Sequence, residues 1–176
     1  MIEVQVHVLV KPTERADRVA LAVDRIFPNL ILDIRDDRVQ GYGGLDNLLR
    51  LHGLLREQRI LDTARSVMLA GTLGEMVQFR LSKMGALMGR IGFPPEEEPL
   101  GSIHVQISGD RRLVDWLAPR TEDGRPVFEI ELATSSGDAA RDEAIESEPG
   151  ETSDDGAFDD RSERIAEKNI DIQEAD

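Results

Sequence analysis

Cysteine is absent from this 176-residue chain, and aromatic residues are few: one Trp, one Tyr and five Phe. Without cysteine there is no disulfide framework and no thiolate metal site. No apolar run approaches the roughly 18 residues that a transmembrane helix needs. The N-terminus begins with an alternating strand pattern instead of a signal peptide. We therefore expect a cytoplasmic protein that makes no contact with a membrane.

Lysine is also scarce, because only three of the 21 basic residues are lysine and the rest are arginine. Against these stand 35 acidic residues, which give a formal net charge of −14. An arginine-rich, strongly acidic composition is typical of proteins from salt-loving archaea, in which carboxylates keep the surface hydrated. A GC-rich genome also favours arginine. The composition thus favours a halophilic source and leaves the genomic explanation open.

The negative charge is concentrated at the C-terminus. Residues 1–132 hold 20 acids and 17 bases, a net charge of −3, whereas residues 133–176 hold 15 acids and 4 bases, a net charge of −11. The second segment is rich in Ser, Gly, Asp and Glu. It has too few apolar residues to offset about 1–2 kcal/mol of backbone ordering per residue. We predict a folded domain over 1–132 and a disordered acidic tail over 133–176.

Hydrophobic periodicity within the domain predicts alternating strands and amphipathic helices. Val4, Val6 and Val8 alternate with polar residues, which indicates a half-buried strand. Thr13 is a suitable N-cap for a helix that runs to Phe27. The further predicted elements are a hairpin over 30–42, helices opening at Asp46, Asp62 and Asp110, a strand over 103–107, and an edge strand or strap over 127–132. This order predicts an α+β fold: a single sheet of about five or six mostly antiparallel strands with helices packed on one face.

The segment from Met76 to Phe93 carries three cations and no carboxylate. Its pattern predicts two short strands around a glycine-rich turn. Basic side chains among glycines and aromatics are suited to a nucleic-acid backbone, so Arg80, Lys83 and Arg90 are candidate phosphate contacts. The alternative is that all three are ordinary solvated side chains of a strand–turn–strand.

Further candidates lie outside this segment. Arg38, Arg59 and Arg65 are secondary candidates for phosphate contact, although pairing of the arginines near Glu57 is an alternative explanation. His7 and His104 lie on predicted strands and would be neighbours if those strands paired, which would bring two metal-ligating side chains together.

Signatures of catalysis and of nucleotide binding are missing from the sequence. Neither GxxxxGK[ST] nor GxGxxG occurs, and no carboxylate pair accompanies a nucleophile or histidine. We expect no enzymatic activity, no cofactor and no metal.

Six separated blocks of the chain match a known family in the same order: residues 8–14, 56–65, 79–83, 89–93, 99–101 and 115–121. Together they resemble a family of small archaeal proteins of unassigned function. That family looks like the large-subunit ribosomal protein that binds 5S ribosomal RNA. The resemblance implies an α+β fold like that of the ribosomal protein and implies RNA binding. Ser82-Lys83-Met84-Gly85 departs from the family's Asn-Lys-Gln-Ala, keeping the lysine and losing two amides.

These observations together predict a non-catalytic RNA-binding protein that contacts mainly the phosphate backbone and RNA shape. The alternative is a protein–protein adaptor in an RNA-processing or ribosome-assembly complex, acting through a sheet edge or through the acidic tail.

Overall fold

The structure, a computed structural model, describes residues 1–132, so the predicted acidic tail lies outside the described residues. The strands in this part of the chain are β1 Glu3–Leu9, β2 Ile31–Ile34, β3 Arg38–Gly43, β4 Thr72–Leu73, β5 Met76–Ser82, β6 Ser102–Ser108, β7 Thr121–Glu122 and β8 Arg125–Pro126. The first six form one antiparallel sheet in the order β2-β3-β1-β6-β5-β4. A small separate hairpin pairs β7 with β8.

Among residues 1–132, five α-helices and one 3-10 helix supply the second layer. They are α1 Ala16–Ile26, the 3-10 helix Leu45–Leu48, α2 Leu49–Glu57, α3 Leu61–Ala70, α4 Lys83–Leu87 and α5 Leu113–Leu117. The 3-10 helix leads directly into α2. No helix in this part of the chain has both the length and the apolarity needed to cross a bilayer.

The core lies between the helices and one face of the sheet. On that face Val6 of β1 stands between Gly41 of β3 and Val105 of β6, and this pattern repeats along the strands. The helices contribute apolar side chains such as Val23 and Leu55 to the same core. Each fully buried aliphatic side chain contributes about 1.5–3 kcal/mol. The α+β class and the mostly antiparallel sheet predicted from the sequence are therefore confirmed.

The predicted strand–turn–strand over residues 76–93 is wrong in its second half. After β5 the chain enters α4, where Ser82 is the N-cap and its hydroxyl accepts a hydrogen bond from the Gly85 amide (3.3 Å). No strand follows between α4 and β6. The alternation of apolar and polar residues ends at Ser82 because this serine caps α4. The residues after it are helical.

The start of α1 also differs from the prediction. The helix begins at Ala16, and Thr13 does not cap it. Instead, the carboxylate of Glu14 accepts a hydrogen bond from the Lys11 amide (2.9 Å), which closes a turn before the helix. This turn places the Glu14 carboxylate 2.8 Å from the ammonium of the buried Lys83.

Residues 127–132 form a strap across the domain, the second of the two predicted alternatives. They form no strand, Leu132 is buried, and Glu129 pairs with Arg56 of α2 at 3.0 Å.

Candidate nucleic-acid interface

The face of the sheet opposite the helices carries polar and aromatic side chains in two rows. Strand register sets each row: Gln5 stands between Tyr42 and Gln106, and His7 stands between Gln40 and His104. On the other side of β6, Gln106 faces Gln78 and His104 faces Arg80. We call these eight residues the polar sheet face: Gln5, His7, Gln40, Tyr42, Gln78, Arg80, His104 and Gln106.

Period-two alternation produces this face. Since successive side chains of a strand point to opposite sides, burying Val6 and Val8 turns Gln5 and His7 outward. The predicted proximity of His7 and His104 is confirmed, because the two residues are directly opposite in the register of β1 and β6. Among residues 1–132 there is no group of three His, Cys, Asp or Glu side chains that could hold a metal ion.

A shallow depression of about 760 Å³ lies over the polar sheet face. The end of α3 at Ala70 and Gly71 borders it, as do Pro94 and Pro95. Gly71 can have no side chain, because a Cβ there would lie 1.8 Å from the carbonyl oxygen of Gln78. The close approach of α3 to β5 thus depends on glycine and shapes one border of the depression.

The side chains of the polar sheet face suit recognition of nucleic-acid bases. A glutamine amide offers both donors and an acceptor, and such amides can pair with base edges. Gln78 Nε2 donates to Gln106 Oε1 at 3.1 Å, which aligns two of the amides. Tyr42 is 45% exposed, and tyrosine and histidine rings stack on unpaired bases.

One carboxylate lies over the basic end of the face. Oε2 of Glu97 is 3.4 Å from both Arg80 Nη1 and His104 Nε2, and Oε1 accepts from the Ser102 amide at 2.7 Å. Burial opposes ionisation of this carboxyl, but the Ser102 amide, His104 and Arg80 hold the pKa of Glu97 below its ordinary value. Arg80 also donates to the Pro95 carbonyl (3.0 Å). The Glu97 carboxylate therefore occupies the position that an incoming phosphate would take at Arg80.

Lys83, predicted as an accessible phosphate contact, is buried instead. Its ammonium donates to Glu14 (2.8 Å), to the Leu9 carbonyl (2.6 Å) and to the Leu100 carbonyl (2.5 Å). All three N–H groups are thus used, and only 6% of the side chain is exposed. The expectation that Lys83 faces a polyanion is wrong, since it joins β1, the turn before α1 and the loop before β6.

Arg65 is likewise engaged within the protein. It pairs with Asp115 at 2.8 Å and donates to the Ala118 carbonyl at 2.8 Å, so it fastens α3 to α5. This corrects its predicted role as an available phosphate contact. Arg38 is half-buried at the start of β3, on the same side of the sheet as the polar face, and pairs with Asp37 at 3.5 Å.

Arg59 and Arg90 are both exposed but lie away from the polar sheet face. Arg59 closes the turn between α2 and α3 with a left-handed φ of 55°. Gln58 Oε1 accepts from the Ile91 amide at 3.2 Å, and this bond brings the two arginine-bearing segments together. The five predicted arginines and one lysine therefore form no single ridge. Arg80 and Arg38 lie on the polar side of the sheet, and Arg59 and Arg90 lie beside the helices. Lys83 is buried, and Arg65 is paired within the protein.

The four glutamines of the face escaped the sequence prediction. Each occupies an outward position of a correctly predicted strand, so alternation identified their orientation. Only the strand order brings Gln5, Gln106 and Gln78 into one row, and that order is not encoded in local periodicity.

The fold and the site define a class: an α+β protein with helices on one face of an antiparallel sheet and polar, base-compatible side chains on the other. No protein-family model matches the chain. A UPF0201 protein of Methanosarcina acetivorans is 39% identical over 153 residues, covering 75% of this chain and 93% of the relative.

Solved structures agree with this relationship. A crystal structure of a UPF0201 protein from Methanococcus jannaschii matches with a TM-score of 0.64 and 31% identity, over 72% of this chain and 99% of that one. Another uncharacterised UPF0201 protein matches with a TM-score of 0.63 and 38% identity, over 71% of this chain and 99% of that one. The chain belongs to the archaeal UPF0201 family, which confirms the archaeal part of the predicted resemblance.

Proposed function

We propose that this protein is a non-catalytic, cytoplasmic RNA-binding protein that uses the polar sheet face. The observation that carries the proposal is the alignment of four amides, two imidazoles, a phenol and a guanidinium in two rows on one side of the sheet. We also propose that the family to which the chain belongs shares its fold with the ribosomal protein that binds 5S ribosomal RNA, a likeness that would favour the same function.

The charge of this side of the sheet favours base contacts over phosphate contacts. Arg80 and Arg38 are its cations, and Glu3 and Asp33 are acidic residues on the same side. If only one or two phosphates are neutralised, the slope of log K against log salt is about −1. Such weak salt dependence suits a salt-rich cytoplasm, where the Debye length is about 3 Å at 1 M salt.

The preferred target is single-stranded or looped RNA. Side chains cannot read the deep, narrow major groove of A-form duplex RNA, whereas unpaired bases can stack on Tyr42 or His104 and pair with the amides. The expected phosphate contacts are Arg80 and the half-buried Arg38 on this side of the sheet, with Arg59 and Arg90 available to a longer RNA that reaches past the sheet.

The test is fluorescence anisotropy with labelled 12-nucleotide single-stranded RNA and with the same sequence as a duplex. Tyr42→Ala should weaken single-strand binding about 5- to 150-fold, because each base–aromatic stack contributes about 1–3 kcal/mol. Phe128→Ala is the matched control, since Phe128 is 44% exposed and lies outside the sheet. Affinity unchanged by Tyr42→Ala and by His104→Ala would rule out this face as the binding site.

The adaptor alternative is favoured by the edge strand β2. Ile31 is 76% exposed and Ile34 is 50% exposed on this strand, whose outer edge is free for pairing among residues 1–132. If no RNA bound at any salt concentration and Ile31→Lys abolished co-purification of a protein partner, the adaptor function would replace RNA binding.

A further inference from the structure

The helical side of the molecule also has a concave surface. A groove of about 380 Å³ runs between α1 and α4. This volume is at the lower end of the range for binding pockets, about 300–1,000 Å³. Buried Lys83 and its partner Glu14 lie at the groove and neutralise each other there. Its apolar lining residues are Val19, Ala22, Met84, Leu87 and Leu100.

The apolar side of the groove is exposed. Met84 is 60% exposed, and Met88, one helical turn further along, is 72% exposed. Leu100 adds a third exposed apolar side chain. Isolated exposed apolar residues are common, but these belong to one groove and its continuation. Methionine is flexible and polarizable, which makes it suited to surfaces that adapt to a bound peptide.

Charge is segregated around α1. Arg15 and Arg18 line the groove, and Arg25, two turns beyond Arg18, donates a hydrogen bond to the Leu87 carbonyl of α4. Asp17 and Asp24 are seven residues apart and lie on a different face of α1 from Arg18 and Arg25. Asp17 pairs with Arg15 at 2.9 Å, but within residues 1–132 neither Arg18 nor Arg25 has an ion-pair partner. Arg18 is thus an arginine of the groove lining that has no ion-pair partner among residues 1–132, and Arg25 lies beyond the groove along α1.

We propose that the α1–α4 groove binds an acidic amphipathic helix of a partner protein. Apolar side chains at i, i+3 or i+4, and i+7 of that helix enter between Met84, Leu87 and Leu100. Carboxylates beside them pair with Arg18 and Arg25. The charge of the arginines selects an acidic helix, and the apolar lining selects an amphipathic one. The proposal does not depend on RNA binding, because the groove and the polar sheet face are on opposite layers of the fold.

The probe is a labelled 16-residue synthetic helix with leucine at the anchor spacing and glutamate at the flanking positions. A second peptide replaces each glutamate with lysine. Binding to the full-length protein is measured by fluorescence anisotropy at 0.1 M and 1 M salt. The acidic peptide should bind and the lysine peptide should not, with weaker binding of the acidic peptide at the higher salt concentration.

Two substitutions locate the site. Arg18→Glu should weaken the acidic peptide about tenfold, because it turns an attraction into a repulsion, and Met84→Asp should weaken it at least as much. Both positions are exposed, so the variants should remain folded. Unfolding followed by the fluorescence of the single tryptophan verifies this. Arg125→Glu is the matched charge control, because Arg125 is exposed, lies on β8 and, like Arg18, has no ion-pair partner among residues 1–132.

Several results would overturn the proposal. Equal binding of the two peptides, no binding of the acidic peptide, or an unchanged affinity in Arg18→Glu would each do so. If sedimentation showed a dimer that Met84→Asp dissociates, the occupant would be a second copy of this chain instead. If Arg18→Glu weakened RNA binding as much as Tyr42→Ala does, the groove would be an RNA contact. Failure of the RNA proposal leaves these peptide measurements unaffected.

Discussion

Replacing Lys83 with methionine distinguishes a buried structural lysine from a surface phosphate ligand. Methionine keeps most of the apolar stem and removes the ammonium that bonds Glu14 and the carbonyls of Leu9 and Leu100. The two charged side chains are only 6% and 15% exposed. Removing one partner of a buried pair leaves an uncompensated charge and costs about 3–5 kcal/mol. For a domain of this size, the loss corresponds to a Tm lower by about 10–20 °C.

Urea unfolding followed by the fluorescence of Trp116 measures this loss, since Trp116 is the single tryptophan and is buried. Glu14→Gln and the double variant Lys83→Met/Glu14→Leu complete the comparison. The double variant should recover part of the lost stability, because it leaves no unpaired charge.

A surface phosphate ligand would give the opposite result. Surface substitutions usually change the free energy of unfolding by less than about 0.5 kcal/mol. If Lys83→Met were within that range of the wild type but lost RNA affinity, the buried assignment would be refuted.

Two further predictions concern single side chains. Burial against Trp116, together with the positive charge of Arg56, lowers the pKa of His52 below 6.5, although Glu129 opposes the shift. The unfolded state therefore binds more protons as the pH falls below about 6.5, so stability is complete above that pH and declines below it. Urea unfolding at pH 7.5 and 5.5 should show this decline, and His52→Phe, which keeps the ring, should reduce it; an unchanged pH dependence would contradict the assignment. Glu97→Gln frees the basic end of the polar sheet face and should raise RNA affinity about two- to fivefold by anisotropy, whereas weaker binding would show that Glu97 does not compete with RNA.

Local periodicity was enough to predict most of the sheet. Strict alternation in β1 and β6 reflects one buried and one exposed face, so the strands and the side of each residue followed directly from the sequence. The position of His7 opposite His104 also followed, once the two strands were assumed to pair.

The interior lysine could not be predicted in this way. Lys83 follows a strand, and its carbonyl acceptors lie 74 and 17 residues away in the chain. Only the tertiary fold brings these acceptors together, and charge alone suggested an exposed residue. The same reason explains Arg65, whose acceptor at Ala118 is 53 residues away.

The row of glutamines depends on the strand order, which brings β1 beside β6 although nearly a hundred residues separate them in the chain. RNA binding itself remains a prediction, for which the structure supplies a specific set of side chains.

The most direct test of that prediction is a nuclear magnetic resonance titration of the side-chain amides with single-stranded RNA. The amide signals of Gln5, Gln40, Gln78 and Gln106 should shift together, while that of Gln58, which bonds Ile91 beside the helices, should stay in place. Shifts confined to Gln58 and its surroundings, or no shift at any RNA concentration, would contradict RNA binding by the polar sheet face.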